Sequence, residues 1–310
     1  MSSLPIVLIS LLFAPFVTPT QWSPIFAPEV PWSTGQHTSP PPPGLGSCTA
    51  SKAFFTRAAS NIAAAPTGFS PPITTWESAV DSLICGQVTA GTWNSKDFEY
   101  FEAAPSLALA EMNLVSSSYT LIPNGNVIFD NNVGVSTDHA VTSYFDTGYD
   151  PSVNSKMTSS SGYLGICQIN TAAGGFAIGE FDASLTTGMY VGPTSAGTAF
   201  FITQMQGTGQ SKVNNLGSLG GFAVSRTDNA HIQSYFNGLP VGTLTSSTGG
   251  IVGGTSLFIL AAHRAGTTAT TSQATLSLAA GGGGETAAQI SADHVLFSAA
   301  LATMLIQSGC

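Results

Sequence analysis

Charge is the scarcest thing in this chain. Only 7% of its 310 residues are Asp, Glu, Lys or Arg, against roughly 25% in an ordinary soluble domain. Positive charge is rarer still, with seven Lys and Arg facing 16 Asp and Glu for a formal net charge of −9. A nucleic-acid binder that neutralises phosphates needs clustered Lys and Arg, so that class is excluded. A protein held on a membrane surface by a basic patch is excluded on the same ground. Long apolar runs are scarce too. Residues 4–17 make a run of fourteen that contains Pro5 and Pro15, short of the ~20 a membrane-spanning helix requires. None of Cys48, Cys85, Cys167 and Cys310 belongs to a CxxC pair, which excludes a zinc ribbon or a thioredoxin-type site.

Catalytic signatures are missing as well. There is no Gly-x-Ser-x-Gly elbow, no HExxH and no Walker loop, and Gly207-Thr208-Gly209-Gln210-Ser211-Lys212 reads as a hairpin loop. Glu180-Phe181-Asp182 has the start of the Glu-x-Asp-x-x-Glu pattern of jelly-roll glycosidases. Leu185 stands where the third acid belongs, and retaining hydrolysis needs two carboxyls about 5 Å apart. No catalytic residue is assigned, and the chain is expected not to be an enzyme. The five histidines lack ligand spacing; His231 and His263 read as exposed polar groups beside Arg226 and Arg264. Among Asp130, Asp138, Asp146 and Asp150, the last pair is the weak candidate for Ca²⁺, without an EF-hand loop to support it. No other cofactor is expected.

What the chain has in quantity is hydroxyl: 38 Ser and 35 Thr. A hydrophobic content of 43% excludes wholesale disorder. Residues 1–47 combine the apolar run with Trp22, Trp32 and the Pro40–Pro43 run. Proline-rich sequence favours extended, unpaired backbone, so this part is expected to be an arm, with Phe13, Phe16, Trp22 and Trp32 lying against a neighbouring polypeptide. The other reading is a cleaved secretory leader, although the first basic residue is Lys52. Two buried thiols (Cys85, Cys167) and two terminal ones is one reading of the cysteines; a bond involving Cys48 or Cys310 is the other.

Residues 48–117 read as a small helical segment. Trp76, Val80, Leu83 and Ile84 recur at helical spacing, Thr74 and Glu77 fit a capping box, and Gly86 ends the helix. A second helix is expected over 96–104 with Phe98 and Phe101 buried, and a third after Pro105 with Leu107, Ala110 and Leu114 on one stripe. The six acids from Glu77 to Glu111 are expected on solvated outer faces. From residue 118 to 310 the texture changes to about a dozen short β runs with turn residues between them. A hairpin is expected at Pro123-Asn124-Gly125 and another at Asn237-Gly238. Alternation over 273–279 puts Ala274, Leu276 and Leu278 on one face, 281–284 reads as a glycine turn, and 290–297 as the last strand. The class this predicts is mainly β: a two-sheet jelly-roll β-sandwich preceded by a short helical segment and an extended N-terminal arm.

The runs Ala-Val-Asp-Ser-Leu-Ile (79–84), Gly-Thr-Trp (91–93), Asn-Leu-Val (113–115) and Ser-Tyr-Phe-Asp-Thr-Gly-Tyr-Asp-Pro-Ser (143–152) occur together. With Phe222–Arg226 followed by Tyr235-Phe236-Asn237-Gly238, they resemble tailed-phage and prophage virion proteins carrying a concanavalin/laminin-G-like jelly roll, over roughly residues 75–300. The resemblance implies a non-enzymatic structural or decoration protein of the virion, on head or tail. Its expected partners are other virion proteins, further copies of itself and host-surface glycans. Tyr149, Tyr190 and Tyr235 are the candidate aromatic platforms for sugar. The alternative is a secreted glycan-binding lectin or a glycoside-cleaving depolymerase with a cleaved signal peptide.

Overall fold

The computed structural model describes residues 46–310, except 68–69, 154–155, 171–174, 182–186, 194–199, 208–210, 215, 217–218, 246–253, 265–266, 269–270 and 307–309. The arm residues Phe13, Phe16, Trp22 and Trp32 lie outside the described residues. Among the described residues there are four α-helices: α1 (Thr49–Ala64), α2 (Ile73–Ala90), α3 (Leu107–Ala110) and α4 (Ala287–Thr303). The first strands are β1 (Lys96–Tyr100), β2 (Ile122–Asn124), β3 (Val127–Asp130), β4 (Gly134–Thr137), β5 (Tyr144–Asp146) and β6 (Gly162–Gln168). Next come β7 (Ile178–Phe181), β8 (Gly188–Gly192), β9 (Phe200–Gly207), β10 (Ser211–Asn214), β11 (Gly220–Arg226) and β12 (His231–Phe236). The last are β13 (Leu239–Thr245), β14 (Phe258–Ile259), β15 (His263–Arg264), β16 (Thr267–Thr268) and β17 (Leu276–Gly282).

The strands form two sheets. Sheet I runs β13-β12-β11-β6-β17-β4-β3, with β1 also paired to β17; sheet II runs β10-β9-β8-β7-β14-β5-β2, with β15 on β7 and β16 on β15. Nearly every pairing is antiparallel, the β7–β15 contact being parallel. Between the sheets lies an apolar core that includes Phe145, Leu164, Ile166, Ile178, Met189, Val191, Phe222, Val224 and Leu276. This is the two-sheet β-sandwich that the sequence predicts.

A second core lies on the other side of sheet I. There Tyr163, Cys167, Ala223, Tyr235, Leu278 and Ala280 meet Phe54, Phe55, Trp76, Val80, Leu83 and Leu301 of the helices. Trp76 has ring contacts of 6.1 and 6.5 Å with Phe54 and Phe55, and burying each such ring contributes about 1.5–3 kcal/mol. Strand β17 therefore walls two cores. A bulge between Leu276 and Leu278 turns Leu276 into the sandwich and Leu278 toward the helices, so the expected common face for Ala274, Leu276 and Leu278 does not hold.

Several local expectations are corrected. Residues 96–100 form β1 rather than helix, because Phe98 and Tyr100 enter the sandwich core while Glu99 and Tyr100 pair with Ala280 and Ala279. Residues 290–297 belong to α4, which opens with a Thr286/Gln289 capping box. Helix α2 follows Pro72 and continues through Gly86 to Ala90, where Gly91 adopts a left-handed φ of 76°. Gly86 lies where α2 and α4 approach: a Cβ there would lie 2.3 Å from a terminal methyl of Leu296 of α4, which would have to move. Pro123-Asn124-Gly125 joins the two sheets instead of closing a hairpin, since β2 pairs with β5 and β3 with β4. Gly281 and Gly282 are strand residues, not turn. The boundary at residue 117 separates nothing, because β1 is part of sheet I and α4 shares a layer with α2. At Asn237-Gly238 the hairpin is as expected, with φ of 49° and 73°.

All four cysteines are paired, Cys48 with Cys85 and Cys167 with Cys310, at Cα separations of 5.7 and 6.0 Å. The reading of two buried thiols is thus replaced by two intramolecular bonds.

The largest departure concerns the acids. Glu77, Glu99 and Glu102 are buried, not solvated. Glu99, Glu285 and Asp293 surround Lys96 between sheet I and α4, and all four side chains have 0% exposure. Lys96 Nζ contacts Asp293 Oδ2, lies 3.0 Å from Glu285 Oε1 and 3.7 Å from Glu99 Oε2, and sits 5.0 Å from the Tyr163 ring centroid. Burial pushes the Glu99 carboxyl up to about 8 and that of Glu285 to about 7. Burial opposes the Lys96 ammonium, but Glu285 and Asp293 outweigh it and keep it charged.

Candidate functional site

The outer face of sheet II gathers ring systems, of which Tyr144, Phe176 and His263 are half-buried and Phe181, Tyr190 and Phe258 buried. Strand alternation dictates which ones. Phe145 and Ile259 point into the sandwich, so Tyr144, Asp146 and Phe258 point out. On β7 and β8 the inward residues are Ile178, Met189 and Val191, which leaves Phe181 and Tyr190 outside. Phe181 and Tyr190 join Phe176 and Ala262 in a small cluster of their own.

Tyr144, Phe258 and His263 form a three-ring stack. Centroids are 4.0 Å apart for Tyr144–Phe258 and 4.1 Å for Phe258–His263, with interplanar angles of 18° and 9°. Two parallel neighbours at that spacing must cover opposite faces of Phe258, which is 3% exposed. Tyr144 and His263 are half-buried and end the stack. His263 Nδ1 lies 2.7 Å from the Ser256 carbonyl; it donates there, leaving Nε2 as the acceptor edge of the ring. Beside the stack, Tyr190 is packed 4.8 Å from Phe176 and 4.7 Å from Phe181. Gly179, opposite both Phe258 and Tyr190 in register, has no room for a side chain: a Cβ would lie 2.6 Å from the Tyr190 Cβ.

Polar groups ring this face. Asp146 Oδ1 accepts from the Gly148 amide at 2.8 Å, and Asp150 accepts from Ser152 and from the Gly254 amide at 3.0 Å. Both carboxylates thus serve turns, and among the described residues no group of three His, Cys, Asp or Glu is gathered to hold a metal. Glu180 is in register with inward Met189 and has 0% exposure. Its Oε1 accepts from Thr255 at 2.5 Å, and burial pushes the carboxyl up to about 8. A carboxyl sealed in this way offers no nucleophile to solvent. Asp182 and Leu185 lie outside the described residues.

The three tyrosines expected to present sugar platforms are buried, in three different layers. Tyr149 is inside the sandwich, 5.0 Å from Phe98, with its hydroxyl donating to Asp97 at 2.9 Å. Tyr235 faces the helices. Tyr190 belongs to the outer face but lies beneath its neighbours as floor. The Tyr144–Phe258–His263 stack has no signature in the sequence because Tyr144 lies far along the chain from Phe258 and His263. The alternation of 144–146 around Phe145 was the available signal. His231 pairs with Asp228 at 2.9 Å. Arg226, expected exposed, is buried with its guanidinium donating to the carbonyls of Met205, Asp228 and Asn229.

No family model matches the chain, and no curated protein matches it. Among solved structures, it is similar to domain 4 of an extracellular GH43 arabinanase from Geobacillus stearothermophilus in complex with arabinotriose. That match has 15% identity, 64% of this chain, 97% of the other and a TM-score of 0.37. A Ruminococcus gnavus IT-sialidase CBM40 bound to α2,3-sialyllactose matches at 14% identity over 39% of this chain and 75% of its own, TM-score 0.31. A botulinum neurotoxin type C structure, concerned with cell entry through two ganglioside molecules, matches at 12% identity over 68% and 53%, TM-score 0.46.

Proposed function

We propose that this protein is a non-enzymatic glycan-binding β-sandwich whose sugar site is the outer face of sheet II. The observation that carries the reading is the Tyr144–Phe258–His263 stack. Sugars are recognised by apolar C–H faces laid on aromatic rings, with planar polar groups taking the hydroxyls. The end rings of the stack supply the first, and the His263 ring edge and the nearby carboxylates supply the second. A surface poor in charge suits a neutral ligand better than a phosphate or a nucleic acid.

The setting we propose is a virion, with the protein displayed as a decoration or attachment component and joined to other virion proteins through residues 1–47. The resemblance of 79–84, 143–152, 222–226 and 235–238 to phage virion proteins supports this. Two disulfides support residence outside a reducing cytoplasm, where such bonds persist.

A glycan array probed with the full chain tests the sugar site. Binding in the millimolar range or tighter, about −4 kcal/mol or better, is the expected result. Tyr144→Ala and His263→Ala each weaken it by about 1 kcal/mol, several-fold, while leaving thermal unfolding within a few degrees. Absence of binding to every glycan, or binding indifferent to both substitutions, defeats the proposal.

A further inference from the structure

The Lys96 cluster has the parts for chemistry of its own. Lys96, on β1, and Asp293, on α4, are 197 residues apart in sequence, in direct contact, and wholly excluded from water. Asp293 Oδ1 accepts from the Thr92 hydroxyl at 2.5 Å, while Oδ2 faces the amine. Glu285 Oε1 is 3.0 Å from the same amine and also accepts from Ser95 at 2.6 Å. Glu285 Oε2 and Glu99 Oε1 are buried with no hydrogen-bond partner. Tyr163 and Phe297 close the pocket, their rings 5.0 and 5.7 Å from Nζ.

We propose that Lys96 and Asp293 condense to an intramolecular isopeptide bond, with Glu285 as the proton carrier. Glu285 takes one proton from the ammonium and passes it to Asp293 Oδ2, and the free Nζ attacks Cγ of the resulting carboxylic acid. The C–N bond forms while Oδ1 carries the developing negative charge, held by the Thr92 hydroxyl. The Cγ–Oδ2 bond then breaks, and the departing hydroxyl takes a second proton from nitrogen and leaves as water. An ammonium–carboxylate pair becomes an amide plus one water, and no oxidant or activated group is consumed. Two circumstances favour the step. Fixed contact between amine and carboxyl replaces a bimolecular encounter, which is worth an effective concentration of about 10⁵ M or more in well-oriented cases. A neutral amide also removes two buried charges, each of which costs several kcal/mol to keep from water.

Peptide mass spectrometry of the purified, reduced and trypsin-digested full chain decides the matter. The expected result is one linked species containing Lys96 and Asp293, lighter by one water than its two peptides together, with no cleavage after Lys96. Recovery of both peptides at full mass, with ordinary cleavage at Lys96, overturns the proposal, as does fragmentation placing the link on another carboxyl. Glu285→Gln should still unfold cooperatively yet yield the separate peptides. An undiminished linked peptide in that variant would remove Glu285 from the mechanism. The wild-type measurement needs no variant to fold, so it stands by itself.

Discussion

A carboxyl group that water cannot reach must find a cation or keep its proton. Glu285 and Asp293 take the first course around Lys96. Glu99, Glu102 and Glu180 take the second: burial pushes Glu102 well above the ordinary carboxyl range and Glu99 and Glu180 to about 8. A raised folded-state pKa means that the unfolded chain releases its proton first as pH rises. Stability contributed by these neutral acids is therefore full near the ordinary carboxyl pKa and declines up to about pH 8. The melting temperature should accordingly be lower at about pH 9 than at about pH 5, and Glu180→Gln should flatten part of that slope. A melting temperature that holds level in the wild type across this range would contradict the assignment. None of this was legible in the sequence. Glu99 and Glu102 carry charges that normally face water, and only their place among Phe98, Tyr100 and Phe101 hints that the local backbone is enclosed.

Of the local signals, Asn237-Gly238 is obeyed, whereas Pro123-Asn124-Gly125 and Gly86 are overridden by the partners their segments find. The β12–β13 hairpin follows from Asn237-Gly238 alone, since a two-residue turn with both φ positive favours this pair. Gly238 also lies under α4, where a Cβ would sit 2.9 Å from the His294 Cβ. Gly238→Ala is thus expected to cost about 1–2 kcal/mol for the left-handed conformation alone. Urea titration measures it, and an unchanged midpoint would refute the account. By contrast, residues 290–297 taken alone predict a strand where the fold has α4. Its buried positions Ile290, Asp293, Phe297, Ala300 and Leu301 show helical spacing only over a longer window, and one of them is an acid. Strand β17 misled for a different reason: its bulge and its two apolar faces erase the period of two that marks a half-buried strand. The stack on sheet II needs β14 paired with β5 and both β14 and β15 paired with β7, which no spacing in the chain announces.

Across the whole molecule, two covalent bonds close loops of very different length, one within the helical layer and one from β6 of sheet I to the last residue. The Cys48–Cys85 bond spans 37 residues and Cys167–Cys310 spans 143. In the chain-entropy view these contribute about 4 and about 5 kcal/mol respectively. Paired Cys→Ser substitutions should lower the guanidinium midpoint in that order, with the larger loss at 167/310. Equal losses, or none, would show that the unfolded chain is already compact enough to make the closure worthless. Cysteine positions alone left the pairing open, because four cysteines admit three connectivities. The layered architecture was legible in outline from turn spacing and alternation, whereas the sharing of sheet I between two cores was not.

The Cys167–Cys310 bond has a mechanical consequence. Strands β7 to β16, which include most of sheet II and two of the three rings of its stack, all lie within the segment that this bond bypasses. Tension drawn between Cys48 and Cys310 would cross from Cys310 directly to Cys167 and never stretch those strands. Tugging would first have to peel β1 to β6, taking Tyr144 of β5 with them, while Phe258 and His263 stayed behind the covalent shunt.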